Sequence, residues 1–254
     1  MTAADPNPDS TFSRTARGLA WLGLAVAVAS AAAALVAGPA YRLEWMSLGT
    51  SFLVLRWATY GAIASIVVGI VAWVLLTVAR APRGRAIAVV ASVLGVLVAA
   101  PPLAMLYQAK RLPNIHDIST DTNDPPAFVD VLPSRHGARN PVDYEPETAV
   151  EQRRGYPDIA PLRLAQQPAE AFERAERAAR AMGWEIVAAK PEALRIEATD
   201  TTLFFGFKDD IVIRIRPQPL GSVVDVRSLS RVGGSDIGAN ARRVRAFLGK
   251  LAAD

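Results

Sequence analysis

Residues 57–79 read WATYGAIASIVVGIVAWVLLTVA, with no charged side chain between Trp57 and Ala79. As an α-helix rising about 1.5 Å per residue, this run spans the roughly 30 Å of hydrocarbon in a bilayer. Ile63, Ile66, Val67, Val68, Ile70, Val71 and Leu76 give it bulk, while Gly61, Ala64, Ser65 and Gly69 give small surfaces on which another helix can close. It offers water no polar face, unlike a surface helix of a soluble protein.

Equivalent apolar runs extend from Gly18 to Gly38 and from Ala86 to Tyr107. Trp21, Trp57, Trp73 and Tyr107 lie towards the ends of the three runs, where amphipathic rings meet the headgroups. Three transmembrane helices are therefore expected over about 18–38, 57–79 and 86–107, after a tail of residues 1–17. Arg14 and Arg17 before the first run, and Gly38-Pro39-Ala40 after it, would also suit a cleaved signal peptide. The length of the run and the two spans behind it favour an uncleaved helix.

Composition agrees with a membrane protein. The 254 residues are 51% hydrophobic with mean hydropathy +0.21, high for a purely soluble chain. There is no cysteine, which removes disulfides, thiol catalysis and Cys-ligated zinc or iron–sulfur sites together. Residues 1–110 hold eight Lys/Arg against three Asp/Glu, whereas residues 111–254 hold 20 against 21. The excess positive charge thus sits at the membrane edges, and the near-neutral C-terminal part gives no footprint for nucleic acid.

Arg80, Arg83 and Arg85 crowd the short loop between the second and third runs, and Arg14 and Arg17 precede the first. Arg42, Arg56, Lys110 and Arg111 fall on the other side. The density in the short loop predicts a cytoplasmic N-terminus and a C-terminal domain outside the cytoplasm, hence a multi-pass inner-membrane protein with a periplasmic domain. No Asp, Glu, Lys or His lies within the three runs, which argues for an anchor and against a proton or ion pathway.

Behind the spans, residues 111–254 read as a soluble α+β domain, a two-layer sandwich of an antiparallel sheet with helices on one face. Pro113 to Pro168 is rich in Pro, Asp and Asn, which predicts an extended wrapping segment with one short strand near Phe128–Leu132. Phe172, Ala175, Ala179 and Met182 recur at helical spacing, with Pro168 suited to the first turn and Gly183 to the C-cap. Strands are expected at Trp184–Ala189, around Leu194–Thr199, through Phe205 and Phe207 to Lys208, over 211–216, and from Ser222 to Ser230. Their alternation predicts one buried and one wet sheet face. A final helix from Gly238 to Leu251 is expected to bury Val244, Phe247, Leu248 and Leu251.

Three polar constellations stand out. Residues 227–240 join a strand end, a Gly-rich turn and a helix start, flanked by Arg242 and Arg243. Free N–H groups there would hold an anion between Arg227, Arg231 and Arg243, with Ser228, Ser230, Ser235, Asp236 and Asn240 beside it. Alternatively Ser235 or Asp236 caps the helix, and the arginines pair with Asp209, Asp210 or Asp225. Asp209-Asp210 suits a hard cation or acid–base chemistry, or equally a solvated turn. His116 and Asp117 open a polar stretch that would serve a nucleophile and its base, or simply Asx turns. Only His116 and His136 exist in the chain, which excludes a multi-histidine metal site; no metal or cofactor is expected.

Together, IHDISTDTNDPPAF (115–128), FKDDI (207–211) and DVRSLSRVGGSDIGANARR (225–243) resemble the domain-of-unknown-function 1499 family. The resemblance covers about residues 111–251 and implies one module, but no reaction. It brings an expectation that Asp209, Asp210, Arg227, Arg231, Asp236 and His116 converge on one polar pocket. The function expected first is a membrane-anchored binding or scaffolding domain, its partners the lipid bilayer and an envelope protein or small anionic ligand. A membrane-surface hydrolase using His116 and a carboxylate, and a purely structural envelope protein, are the alternatives.

Overall fold

In a computed structural model that describes residues 11–253, three long helices open the chain: α1 (Thr11–Arg42), α2 (Leu48–Val78) and α3 (Arg85–Ala109). All three are long and apolar enough to cross a membrane. They continue past the apolar runs, so Arg56 lies within α2 rather than in a loop. Leu76 apart, their buried residues are small: Ala16, Ala20, Gly23, Ala27 and Ser30 recur along one side of α1. Trp21, Leu22, Val28 and Leu35 point outwards. In lipid this is the stable arrangement, because small residues let backbones approach while large ones meet acyl chains. At Gly95 of α3, an added Cβ would lie 2.6 Å from the Ala62 carbonyl oxygen of α2.

The chain divides between Tyr107 and Gln108 into two compact units. The second unit runs β1 (Asp117–Ser119), α4 (Pro146–Gly155), β2 (Leu162–Leu164), α5 (Pro168–Ala181), β3 (Glu185–Lys190), β4 (Arg195–Thr201), β5 (Lys208–Gln218), β6 (Gly221–Ser230) and α6 (Ala239–Ala253). The sheet is antiparallel in the order β1-β6-β5-β4-β3, and β2 also pairs with β6. The β5–β6 hairpin turns at Gly221, whose φ of +128° and contact with the Leu164 carbonyl leave no room for a side chain.

Alternation decides which side chains meet the helices. Ile196, Ala198, Ile211, Ile213, Ile215, Val224 and Val226 point to one face, where they form a core with Phe172, Ala175 and Ala179 of α5 and Val244, Phe247 and Leu251 of α6. Trp184 stacks on Phe247 with ring centroids 5.3 Å apart. Leu248 is only partly buried. Each fully buried side chain of this size stabilises the fold by about 1.5–3 kcal/mol.

The opposite face is not wet. All ten residues of β6 are buried, because irregular chain between β1 and α4 crosses that face and plants Phe128 and Val131 against Val212 and Leu229. No strand forms at Phe128–Leu132; a 3-10 turn follows at Leu132–Arg135. Two further expectations are corrected. Pro146 does not prevent a helix but starts α4, since its missing N–H falls in the first turn. Phe205 and Phe207 do not extend a strand but lie in the β4–β5 hairpin loop, where Gly206 has φ +69°.

Gln152 of α4 finishes the edge of the sheet. Its Nε2 donates to the Ser119 carbonyl at 2.6 Å and its Oε1 accepts from the Ser119 N–H at 2.8 Å, so the amide takes the place of a further strand.

Candidate functional site

Asp209 and Asp210 sit in β5, not on a turn, and successive strand residues face opposite ways. They therefore belong to two separate clusters with the sheet between them. The expected single pocket divides accordingly.

On the helix face, Asp209 accepts from Arg243 Nη2 at 2.6 Å, and Asp200 accepts from Arg243 Nε at 2.8 Å. Arg243 Nη1 donates to Ser228 Oγ at 3.1 Å and to Asn240 Oδ1. Asn240 is fully buried; its Nδ2 donates to the His116 carbonyl at 2.9 Å and to Ser230 Oγ at 3.0 Å, while Ser228 Oγ lies 2.7 Å from its Oδ1. Asp236 caps α6, accepting from the N–H groups of Gly238 at 2.8 Å and Asn240 at 2.6 Å. Burial pushes the Asp236 carboxyl above its ordinary value, and those two N–H groups pull the other way. Ser235 Oγ accepts from Ile237 N–H at 3.2 Å.

On the covered face, Asp210 is fully buried and accepts from Arg135 at 2.5 Å, from Arg231 Nη2 at 2.8 Å and from Thr199 Oγ1 at 2.8 Å. Arg231 also donates to the Ser134 carbonyl at 2.6 Å. Burial lowers the Arg135 pKa and the Asp210 charge opposes the fall. Beside this pair, Arg227 donates to Asp117 at 2.7 Å and to the carbonyls of Pro126 and Val142 at 3.2 and 2.5 Å. The Arg227 guanidinium also lies over the rings of Phe128 and Tyr144, 5.1 and 5.3 Å from their centroids. Burial raises the Asp117 carboxyl, against the pull of Arg227. Burial likewise raises the Tyr144 hydroxyl, with the Asp117 charge adding to it.

The same face carries pairs that sequence reading missed. Glu197 is fully buried and accepts the N–H groups of Val129 at 2.9 Å and Val131 at 2.8 Å. Asp130 takes Lys190 at 2.6 Å and Arg195 at 2.8 Å. Asp225 takes Arg214 and Arg216, which also reach Asp124 and Asp121. One signal was available: Arg195, Glu197, Arg214, Arg216, Asp225 and Arg227 share one face of adjacent strands with opposite charges interleaved. A solvated face does not require such matching. Arg135 ends the short 3-10 turn and Asn140 and Tyr144 lie in irregular chain, where no periodicity marks them.

Chemically, these clusters hold the fold together. All three guanidinium nitrogens of Arg227 donate within the domain, as do all three of Arg231 and of Arg243. The His116 ring lies with Nδ1 3.4 Å from the Gly234 carbonyl oxygen. Among the described residues, no group of three or more His, Asp or Glu is placed to hold a metal ion.

No curated protein matches the chain. A family model described as "Protein of unknown function (DUF1499)" matches residues 117–251, the span from the first residue of β1 into α6. That match covers more than half of the 254 residues and all six strands, and the chain belongs to the DUF1499 family.

Proposed function

We propose that the chain is a multi-pass inner-membrane protein whose C-terminal domain stands outside the cytoplasm as a rigid, non-enzymatic scaffold for an envelope protein. The observation that carries this reading is the commitment of Arg227, Arg231 and Arg243. Each spends all its guanidinium nitrogens on carboxylates, hydroxyls and carbonyls of its own domain. An anion clamp needs donors that a ligand can take up, and here the donors already hold the fold. A general base at His116 would need a carboxylate or nucleophile against its ring, and the hydrogen bond that the ring makes is to a carbonyl. The orientation rests on Arg80, Arg83 and Arg85 crowding the connection between α2 and α3.

The test is native mass spectrometry of the full chain released from nanodiscs, together with C-terminal fusions. The scaffold reading expects the bare protein mass, apart from lipid, in wild type and in Arg231→Lys alike. A reproducible small-molecule adduct that Arg231→Lys abolishes overturns it in favour of a ligand pocket. Active alkaline phosphatase fused after Asp254, with a dark fluorescent-protein fusion, is the outcome for an external domain; the reverse pattern places it in the cytoplasm.

A further inference from the structure

The hairpin loop between β4 and β5, Thr202–Phe207, is largely apolar, with Phe205 buried and two exposed side chains at its tip. Leu203 is 89% exposed and Phe204 40% exposed. The loop is braced from within. Thr202 N–H donates to the Phe207 carbonyl at 2.8 Å, Phe207 N–H donates to Thr202 Oγ1 at 2.8 Å, and Gly206 N–H donates to the Thr202 carbonyl at 2.9 Å. The Phe205 and Phe207 rings stack with centroids 4.9 Å apart, and Phe204 meets Phe205 edge-on at 5.1 Å. A loop that only connects two strands needs none of this; a polar turn would do. Single exposed apolar residues are ordinary, but a braced pair at a loop tip is a contact surface.

Topology says what meets it. β1 runs antiparallel to β6, so the start of β1, the end of β6, the start of β5 and the end of β4 share one end of the sheet. Ser230 N–H donates to the His116 carbonyl and Arg231 N–H to the Lys208 carbonyl across that end. The Thr202–Phe207 loop therefore projects two to three strand spacings, roughly 10–15 Å, from where the chain enters β1. The entering chain is short. Leu112 already lies against Gly238, and Pro113 against Gly155, so only two residues separate Ala109, the last of α3, from this end of the domain. At most about 3.6 Å per residue, that tether holds this end within roughly 11 Å of the end of α3. Exposed Lys110 and Lys208 stand at the same end, with the sign that anionic headgroups attract.

We propose that the Thr202–Phe207 loop is a second membrane contact, in which Leu203 and Phe204 enter the headgroup region of the bilayer that holds α1, α2 and α3. The proposal rests on the membrane reading of those helices, and the experiment separates the two. The chain has no cysteine, so single cysteines can be labelled without background. Full-length Leu203→Cys, Leu220→Cys and Ile70→Cys are each labelled with an environment-sensitive fluorophore and reconstituted into vesicles containing phosphatidylglycerol and headgroup- or chain-spin-labelled lipid. Leu220 is 92% exposed in the β5–β6 hairpin at the opposite end of the sheet, and Ile70 is an outward residue of α2.

The expected result is a blue-shifted emission at position 203 that headgroup spin label quenches, solvent-like unquenched emission at 220, and quenching by chain label at 70. Emission at 203 matching that at 220, with 70 quenched, overturns the loop contact and leaves the spans standing. A blue shift at 203 without lipid quenching also overturns it and assigns the loop to a protein partner or a second copy. No quenching at 70 overturns the spans and the loop contact together.

Discussion

Asp117 and Arg227 form a diagonal ion pair across the β1–β6 ladder. Asp117 stands opposite Leu229 and Arg227 opposite Ser119, and the guanidinium Nη2 reaches the carboxylate at 2.7 Å. Both side chains are about 95% shielded from solvent. Removing one partner leaves the other charged and buried. Arg227→Ala is therefore expected to destabilise the domain by about 3–5 kcal/mol. Arg227→Lys should recover little, because an ammonium cannot hold the carboxylate and two carbonyls in one plane. Urea unfolding of the detergent-solubilised protein measures both. A loss within error for Arg227→Ala would show that the pair does not hold β1 to the sheet.

Asp210 separates two arginines. Asp210→Asn leaves Arg135 and Arg231 facing each other with no carboxylate between them. The chain around 131–140, tied to the sheet through Arg135, Arg231 and the Asn140 side chain, should loosen. Limited trypsin digestion is the readout: cleavage after Arg135 or Arg139 is expected to quicken, while cleavage after Arg153 keeps its wild-type rate.

Asp130 gives the pH dependence its sign. Hydrogen bonds from Lys190 and Arg195 hold its carboxyl below the ordinary 3.8. For a carboxyl lowered on folding, the stabilisation is complete above 3.8 and disappears as pH falls through the lower folded value. Wild type should exceed Asp130→Asn in stability at neutral pH, and the gap should close in acid. Asp117, raised by burial, titrates with the opposite sign, so the difference between the two proteins is the quantity to follow. A gap that stays constant down to the acid limit would mean that Asp130 is not engaged in solution.

Asn240 of α6 ties the chain entering β1 to β6 and to Arg243 through four side-chain contacts. Asn240→Ala strips the Arg243 and Ser228 donors of an acceptor and the Ser230 hydroxyl and His116 carbonyl of a donor, and a loss of about 1–3 kcal/mol is expected in the same urea measurement. Among the three N-terminal helices, Gly95→Val places carbon against the Ala62 carbonyl, and a fall in folded yield by size-exclusion profile is expected.

The apolar runs, the periodicity of α5 and the alternation of β5 and β6 were all legible, because each is a local pattern that burial enforces. Legibility ended where long-range contacts took over. Prolines between Pro113 and Pro168 correctly excluded a long helix, yet nothing local says that Phe128 and Val131 cover a sheet built from residues 195–230. The same reason hides the covered face: charged residues at alternate positions read as solvated until their partners arrive from elsewhere. Composition points to a turn at Asp209-Asp210, although the alternation of Ile211, Ile213 and Ile215 extends back through it. The turn itself lay at Phe205-Gly206-Phe207, where aromatic β-propensity outweighed one glycine.

The covering segment also sets a timetable for biosynthesis. Its anchors come late: Asp121 waits for Arg216, 95 residues on, Pro126 for Arg227, 101 on, and Asp117 for Arg227, 110 on. Residues 117–145 therefore leave the ribosome well before the strands they will cover exist. A chain halted short of Lys190 holds a ribbon of carboxylates and prolines whose partners in the sheet are still to come. Such non-local closure is slow, and the apolar strands of β5 and β6 stay open until it finishes. The newly made domain passes its most vulnerable interval tethered behind three apolar helices, and the arrival of Arg216 in β5 and Arg227 in β6 decides how long that interval lasts.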